Sequence, residues 1–277
     1  MKKTIVDTNK SLYFHHDKNV KFGPETTLRE HYHDNFEIYL ITEGNCTYFI
    51  DKKTYQLREG DLILIPPGVI HNNKYTDSAH SRMLLHCSTG HIPSSVRKLL
   101  PSMLYLYRNP EILNQIYDIF YNIENEYQNR DNLSDDILYC NIQMLFLLLA
   151  KNRSTCTSVE SGNELISRAI SYVQANYLSD ISLVEMADFC SVSPEHFSRT
   201  FKKETGFGFN KYLNLLRLQN AEAEFRKNPN ASVTQVALSC GFRDSNYFSV
   251  KFKELYDISP KKFQRAMLLK KLDNSQD

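Results

Sequence analysis

The hydrophobic and polar positions divide the chain into three zones, and the first reads as β-structure. Between about residues 20 and 90, short apolar segments such as EIYLIT (37–42) and LILIP (62–66) alternate with turn signals such as EGD (59–61). Closely spaced strands with no helix between them favour antiparallel pairing. The pattern therefore predicts a barrel or sandwich here rather than a doubly wound sheet.

The second zone, from about residue 94 to 151, changes to helical spacing. Its apolar stripes predict two amphipathic helices, which suit either packing on the β-structure or a dimer interface, and both interpretations stay open. The positions that carry this period are Ile112, Ile116, Ile119, Phe120 and Ile123, followed by Ile137, Ile142, Leu145, Phe146 and Leu149.

The third zone, roughly residues 164–270, reads as helical throughout and contains an internal repeat. SLVEMADFC (182–190) aligns with SVTQVALSC (232–240), and HFSRTFKKETGFGFNKY (196–212) aligns with YFSVKFKELYDISPKKF (247–263). The offset grows from 50 to 51, so one residue is added in the turn between the helices. Each copy reads as a helix-turn-helix unit that opens with a capping box, at Ser182 and at Ser232.

The second helix of each copy combines a predicted core side with a short or cationic side. Phe197 and Phe201 form the core side in the first copy, and Phe248 and Phe252 form it in the second. A helix over residues 210–226, about 25 Å long at 1.5 Å per residue, joins the two copies. Two helices joined in this way can reach successive major-groove faces about 34 Å apart.

The polar sides of these helices suit DNA. Arg199 suits a bidentate contact with guanine, Asn246 suits adenine, and Val250 suits a thymine methyl group. The lysines suit phosphates, which fix the register without reading the sequence. The predicted DNA-binding residues are Glu195, Ser198, Arg199, Lys202, Lys203, Ser245, Asn246, Ser249, Val250, Lys251 and Lys253.

These C-terminal hundred residues resemble the DNA-binding domain of the AraC/XylS-type transcription regulators. GFRDSNYFSVKFKELYDISPKKFQR (241–265) follows that family's signature, and SVSPEHFSRTFKKETGFGFNKYL (191–213) matches its first unit. One departure is Val250, where an arginine is common. The resemblance implies promoter DNA, RNA polymerase and a second copy of the chain as partners, together with a small-molecule effector that is most often a carbohydrate.

The N-terminal zone resembles the cupins, since HYHDNFEIYLITEG (31–44) and GDLILIPPGVIH (60–71) match their two motifs. In cupin enzymes the matching side chains hold a divalent metal, whereas many AraC-type regulators keep the pattern without one. We therefore predict an effector site without metal or other cofactor. Its predicted residues are His31, His33, Glu37 and His71.

Two alternatives for this zone stay open. One is a metal-dependent cupin enzyme fused to a DNA-binding domain, and the other is a barrel used only for dimerisation. The sequence contains no phosphate-binding glycine loop, GxSxG elbow or HExxH motif, so we expect a regulator rather than an enzyme.

Composition and charge add little beyond this. No apolar run approaches the roughly 18 residues of a membrane span, and MKKTIVDTNK lacks the apolar core of a signal peptide, so we expect a cytoplasmic protein. The six cysteines form no CxxC pair, which argues against a zinc ribbon. Residues 161–277 carry 16 Lys and Arg against 13 Asp and Glu, a weak lean toward a polyanion.

The predicted fold is therefore two-domain, with an N-terminal all-β cupin-like (jelly-roll) barrel, a helical pair and a C-terminal all-α double helix-turn-helix domain. The predicted boundaries are 1–93 for the effector-binding barrel, 94–151 for the helical dimerisation or linking segment, 152–163 for a linker, and 164–277 for the DNA-binding domain. The predicted function is sequence-specific regulation of transcription.

Overall fold

A computed structural model of the chain describes residues 11–21, 33–75, 79–100, 103, 105–153 and 163–273. The chain divides into two compact units, Met1–Gly162 and Asn163–Asp277. Among the described residues, every helix is too short or too polar to span a lipid bilayer.

The described part of the N-terminal unit contains eight strands in two antiparallel sheets. One sheet has the order β1-β7-β2-β5-β8 and the other has the order β4-β3-β6. The strands are β1 (Leu12–Val20), β2 (Phe36–Glu43), β3 (Asn45–Ile50), β4 (Lys53–Arg58), β5 (Leu62–Ile65), β6 (His71–Tyr75), β7 (His80–Cys87) and β8 (Leu106–Tyr107).

The strands β2, β5 and β7 of the five-stranded sheet are largely buried on both faces. Alternate side chains of a strand point to opposite faces of the sheet. Ile38 and Leu40 of β2 belong to a core that also contains residues of the neighbouring helices. Tyr39 and Ile41 belong to a second core, shared with Tyr48 of the three-stranded sheet. The second core is the interior between the two sheets, and polar side chains that reach this interior need partners there.

Three α-helices follow β7 in the described residues of this unit, with β8 between the first two: α1 (Ser94–Arg97), α2 (Pro110–Gln128) and α3 (Ser134–Lys151). Asn109 caps α2 by accepting a hydrogen bond from the Glu111 N–H, and Pro110 occupies the first helical position. Apolar residues of α2 and α3, such as Phe120 and Phe146, belong to the same core as Ile38. The predicted helical pair is thus confirmed, and it covers one face of the sheet.

The edge strand β8 lies beyond residue 93, where the predicted barrel ends. Its residues Leu106 and Tyr107 pair with Ile63 and Leu62 of β5. A strand of two residues shows no alternation of apolar and polar positions, so the hydrophobic pattern gave no sign of it. Residues 154–162 of the predicted linker lie outside the described residues.

The C-terminal unit is helical throughout its described residues, as predicted. Its helices are α4 (Glu164–Asn176), α5 (Leu183–Phe189), α6 (Pro194–Thr205), α7 (Phe209–Lys227), α8 (Val233–Ser239), α9 (Ser245–Tyr256) and α10 (Pro260–Asp273). Helices α5 and α8 each have 7 residues, and α6 and α9 each have 12.

The two copies of the repeat also share their turn. After α5 and α8 the chain takes a left-handed conformation, at Ser191 (φ 58°) and at Gly241 (φ 86°). The next helices begin at caps Ser193 and Asp244. The offset changes from 50 to 51 between these points, so the structure confirms one added residue in the second turn.

Only the first predicted capping box forms. The Ser182 hydroxyl accepts a hydrogen bond from the Glu185 N–H, and the Glu185 carboxylate accepts one from the Ser182 N–H. The Ser232 side chain makes no capping hydrogen bond, so that prediction is wrong. The residue three positions later is the neutral Gln235, which is a weaker acceptor than a carboxylate.

Candidate ligand site and DNA-binding surface

Four side chains converge in the interior of the N-terminal unit, and we refer to them as the Glu37 cluster: Glu37, His33, His71 and His86. Glu37 of β2 lies directly opposite His86 of β7 in the sheet register. The Nε2 atoms of His86, His33 and His71 lie 3.1, 3.2 and 3.6 Å from Glu37 Oε2. All four side chains are at most 5% exposed.

Backbone carbonyl groups fix two of these rings. His33 Nδ1 donates to the Asn35 carbonyl at 2.7 Å, and His71 Nδ1 donates to the Val69 carbonyl at 2.8 Å. A carbonyl oxygen only accepts, so in both rings Nδ1 carries the hydrogen. Both rings therefore present Nε2 to the carboxylate.

The other carboxylate oxygen has its own partner. The Tyr48 hydroxyl donates to Glu37 Oε1 at 2.7 Å and accepts from Asn73 Nδ2 at 3.3 Å. Tyr48 and Asn73 are register partners in β3 and β6. These two strands therefore fix the orientation of a carboxylate that belongs to the opposite sheet.

The electrostatics of the cluster favour a charged carboxylate. Burial by itself would raise the pKa of Glu37, but the hydrogen bonds with His33, His71 and His86 hold it well below its usual value. Burial would lower the pKa of His33, yet its hydrogen bond with Glu37 raises that pKa above the ordinary value. The interior thus holds one negative charge among imidazoles.

The donor set fits a divalent transition metal. Within the described part of the chain, the donor atoms of His33, Glu37 and His86 lie within 4.8 Å of one another. Imidazole nitrogen with carboxylate oxygen is a ligand combination suited to zinc, iron or a related ion.

Further polar groups continue from the cluster along the interior. Asn73 Nδ2 also donates to the Tyr75 hydroxyl at 2.9 Å, and this hydroxyl accepts a second hydrogen bond from Arg82. Arg82 Nε donates to Asp17 Oδ2 at 2.5 Å. Burial would raise the pKa of Asp17, but the Arg82 guanidinium holds it below its ordinary value. A ligand in this interior would meet hydroxyl, amide and guanidinium groups.

Three of the four predicted effector residues, His33, Glu37 and His71, lie together in the cluster. His31 lies outside the described residues. The prediction missed His86, which belongs to neither cupin-like motif. Its partner Glu37 is 49 positions away in sequence, so only the register of β2 with β7 reveals the pair.

A separate open cavity of about 760 Å³ lies elsewhere in the same unit. It contains a guanidinium, two carboxylates and two phenols, and Arg130 forms an ion pair with Asp135 at 2.7 Å. The lining residues are Ser11, Leu12, His91, Tyr127, Arg130, Asp135, Asp136 and Tyr139. This cavity is large enough for a small organic ligand.

In the C-terminal unit, α6 has the two sides that its sequence predicts. Phe197 and Phe201 are fully buried, and both rings contact Phe209 of α7. The predicted DNA-binding residues of this helix are all exposed: Glu195, Ser198, Arg199, Lys202 and Lys203. Together they form a continuous polar surface.

Helix α9 repeats this arrangement with differences. Phe248 and Phe252 are fully buried, whereas Asn246, Val250 and Lys253 are exposed. Three predicted DNA-binding residues are half-buried: Ser245, Ser249 and Lys251.

Two of these half-buried residues already have partners within α9. The Ser249 hydroxyl donates to the Ser245 carbonyl at 2.8 Å. Lys251 Nζ donates to Glu254 at 2.8 Å and lies 5.6 Å from the centre of the Tyr247 ring. This surface is therefore less cationic than that of α6.

Comparison with known proteins agrees with both halves of this description. Residues 23–139 match the model of the AraC-like ligand-binding domain family, and residues 186–266 match that of a helix-turn-helix domain family. The HTH-type transcriptional activator RhaS of Escherichia coli is 26% identical over 254 residues, which cover 88% of this chain and 90% of RhaS.

The solved structures that the chain matches include ToxT from Vibrio cholerae O395. It is 14% identical, with a TM-score of 0.39 over 93% of this chain and 98% of that one. Another is the C-terminal domain of AraT, a response regulator from Geobacillus stearothermophilus. It is 28% identical, with a TM-score of 0.36 over 38% of this chain and 86% of that one.

Proposed function

The chain belongs to the AraC family of helix-turn-helix transcription regulators, and from this premise we propose how its two units work. The C-terminal unit binds a specific promoter sequence through α6 and α9. The N-terminal unit binds a small molecule, and this binding changes transcription at the promoter. The ligand acts only if it binds two arrangements of the protein with different affinities.

One observation carries the DNA-binding part: the repeat twice places a polar, exposed helix face on a fully buried pair of phenylalanines. In helix-turn-helix proteins the second helix of each unit lies in the major groove. We assign base contacts to Arg199, Asn246 and Val250, and phosphate contacts to Lys202 and Lys253. The remaining contact residues are Glu195, Ser198, Lys203, Ser245, Ser249 and Lys251.

Lys251 has a conditional role in this proposal. Its hydrogen bond with Glu254 raises the pKa of its ammonium group and so favours the charged form. A phosphate must compete with the Glu254 carboxylate for that ammonium. We therefore assign Lys251 a smaller share of the affinity than the exposed Lys202.

The test of this function is selection from random duplexes with the full chain. We expect one sequence to be enriched. Fluorescence anisotropy should then show that the chain binds this sequence about 1,000-fold or more tightly than unrelated DNA. Equal affinity for all duplexes at physiological salt would contradict the proposal. Carbohydrates and related metabolites are then added to the bound complex, and a change in affinity identifies the effector class.

We place the effector at the polar interior, in contact with His33, Glu37 and His71 and with the neighbouring Tyr48 and Asn73. Several hydrogen-bonding groups in an apolar surround suit a polyhydroxylated ligand. Loss of the effector response in His71→Gln, with retention in Tyr139→Ala, supports this location. The opposite result places the ligand in the 760 Å³ cavity, which Tyr139 lines.

The partner proposed for the helical pair is a second copy of the chain. Helix α3 and the residue before it expose an apolar stripe with spacings of 4, 3, 4 and 3, the period of a coiled-coil seam. The stripe consists of Leu133, Ile137, Cys140, Met144 and Leu147, and all five are exposed. Single exposed apolar residues are common, but a continuous stripe of this kind suits an interface.

Met144→Glu tests the dimer. Met144 is 57% exposed and lies between Cys140 and Leu147 in the stripe. Because burying a methionine contributes about 1.5–3 kcal/mol, we expect the dissociation constant of the dimer to rise at least about tenfold. Analytical ultracentrifugation measures it. Tyr121→Glu, at an exposed aromatic residue of α2, is the matched control. Equal weakening by both variants would place the interface elsewhere.

The remaining assignments follow from the relatives. RhaS is a transcriptional activator by name, and we propose activation here, with RNA polymerase as the protein partner. We propose a cytoplasmic, non-enzymatic protein.

A further inference from the structure

Three imidazoles in the Glu37 cluster point the same type of atom at one oxygen. The Nε2 atoms of His33, His71 and His86 lie 3.1–3.6 Å from Glu37 Oε2. The rings of His71 and His86 lie 5.0 and 4.7 Å from the ring of His33, centre to centre. Of these four side chains, His33, Glu37 and His86 have donor atoms within 4.8 Å of one another.

The hydrogen bonds of two rings decide what their Nε2 atoms present. Because His33 and His71 each donate from Nδ1 to a backbone carbonyl, a neutral ring has a lone pair at Nε2. That lone pair faces a carboxylate oxygen, which also carries lone pairs. Such an arrangement is repulsive unless a proton on Nε2 or a metal ion lies between the two atoms. A backbone carbonyl that fixes the far nitrogen is also how metal-binding histidines are usually oriented.

The separations match those between neighbouring ligands of one metal ion. An ion about 2.0–2.2 Å from each of two donors in tetrahedral geometry holds these donors about 3.3–3.6 Å apart. The distances from Glu37 Oε2 to the Nε2 atoms of His86 and His33, 3.1 and 3.2 Å, lie close to the lower end of this range. The near-complete burial of all four side chains suits an occupant of atomic size.

We propose that Glu37 Oε2 and the Nε2 atoms of His33 and His86 bind one divalent first-row transition-metal ion, with His71 beside the carboxylate. The ligand set includes His86, which no motif indicated, and it departs from the expectation of a metal-free site. Tyr48, held by Asn73, orients the carboxylate through its Oε1 atom. The inference rests on the proposed function only in treating the N-terminal unit as the sensing unit, and it adds a metal ion to that unit.

The test uses the full chain with Zn²⁺ or Co²⁺ alone, after dialysis against a chelator. The exposed Cys140 is replaced by serine in every sample, so that its thiol does not bind the ion. We expect one ion per chain by elemental analysis after gel filtration. Bound Co²⁺ is expected to show the visible absorption of a four- or five-coordinate nitrogen and oxygen site.

Two variants remove ligands and one serves as a control. His86→Gln and Glu37→Gln are each expected to weaken Zn²⁺ binding about 100-fold, and Tyr48→Phe about tenfold, as for groups that hold or orient a metal ligand. His91→Gln changes a histidine of the same unit outside the cluster and is expected to bind as the parent does. Circular dichroism establishes that each variant folds, and His86→Gln decides the matter if Glu37→Gln does not fold.

The outcomes separate this inference from the proposed function. Absence of a bound ion, or equal binding by His86→Gln and the parent, overturns the metal site. Selective binding to one enriched duplex is measured on the same samples. A chain that selects its duplex but binds no ion keeps the proposed function and loses the metal site, and the reverse result keeps only the metal site.

Discussion

Replacing Gly241 by alanine is expected to destabilise the C-terminal unit by about 3 kcal/mol. Gly241 follows α8 with φ 86°, a conformation that costs an L-residue about 1–2 kcal/mol. Its N–H donates to the Leu238 carbonyl at 3.1 Å, and the Phe242 N–H donates to the Ala237 carbonyl at 3.0 Å. This pair of hydrogen bonds requires the left-handed residue between them, so the backbone cannot relax without losing the helix end.

A close approach adds to the cost at Gly241. A Cβ atom there would lie 2.7 Å from the Tyr177 carbonyl oxygen, 2.9 Å from Arg217 Nε and 3.1 Å from Leu178 Cα. Arg217 is largely buried, and its Nε donates to the Tyr177 carbonyl at 2.7 Å. The added methyl group would push apart a contact that ties α7 to the end of α4. Overpacking of this kind costs about 1–3 kcal/mol.

Urea unfolding of the full chain, followed by helical circular dichroism, measures this effect. Gly208→Ala is the matched control, because Gly208 has φ −69° and no atom lies within 4 Å of the position of a Cβ. We expect the control to change stability by less than about 1 kcal/mol. If the two variants unfold at the same urea concentration, the turn after α8 does not need glycine.

The first copy of the repeat shows why the sequence pattern identified the unit but not this constraint. Ser191 occupies the position equivalent to Gly241, with φ 58°. The backbone turn is therefore common to both copies, although serine adopts the left-handed region only at a cost. The close approach to Tyr177 and Arg217 concerns Gly241, and it depends on tertiary packing that no local pattern contains.

Helical features were the most predictable because their period is local. Phe197, Phe201, Phe248 and Phe252 are all fully buried, as their spacing of four residues predicts. The extra residue in the second turn could be located from the alignment alone. Ser232 shows the limit of such reasoning, since a capping motif at an exposed helix start need not form its hydrogen bonds.

The ligand site was only partly predictable because strands bring distant residues together. His33 and Glu37 are four positions apart, and the cupin-like pattern placed His71 with them. His86 reaches the same carboxylate through the register of β2 with β7, and a shift of one residue would turn it to the opposite face. Strand β7 is buried along its whole length. It therefore lacks the alternation of apolar and polar positions that would show from the sequence which face His86 occupies.

Arg199→Ala is expected to lower the affinity for the enriched duplex by about 1–3 kcal/mol, or roughly 5–150-fold. Arg199 lies on the exposed side of α6, on a helix whose position is fixed by the buried rings of Phe197 and Phe201. Its guanidinium can form two parallel hydrogen bonds with one guanine, and alanine removes both. Discrimination at one base position should therefore relax, while the preference at other positions remains.

Lys202→Ala is the control that separates base reading from charge. Lys202 is exposed three residues further along α6, and its proposed partner is a phosphate. Its loss should weaken binding about equally for all duplexes and reduce the slope of log affinity against log salt by about 1. Anisotropy titrations with single-base variants of the duplex at several salt concentrations measure both effects. If Arg199→Ala also weakens all duplexes equally, Arg199 contacts the backbone, and base recognition in the first unit belongs to another residue of α6.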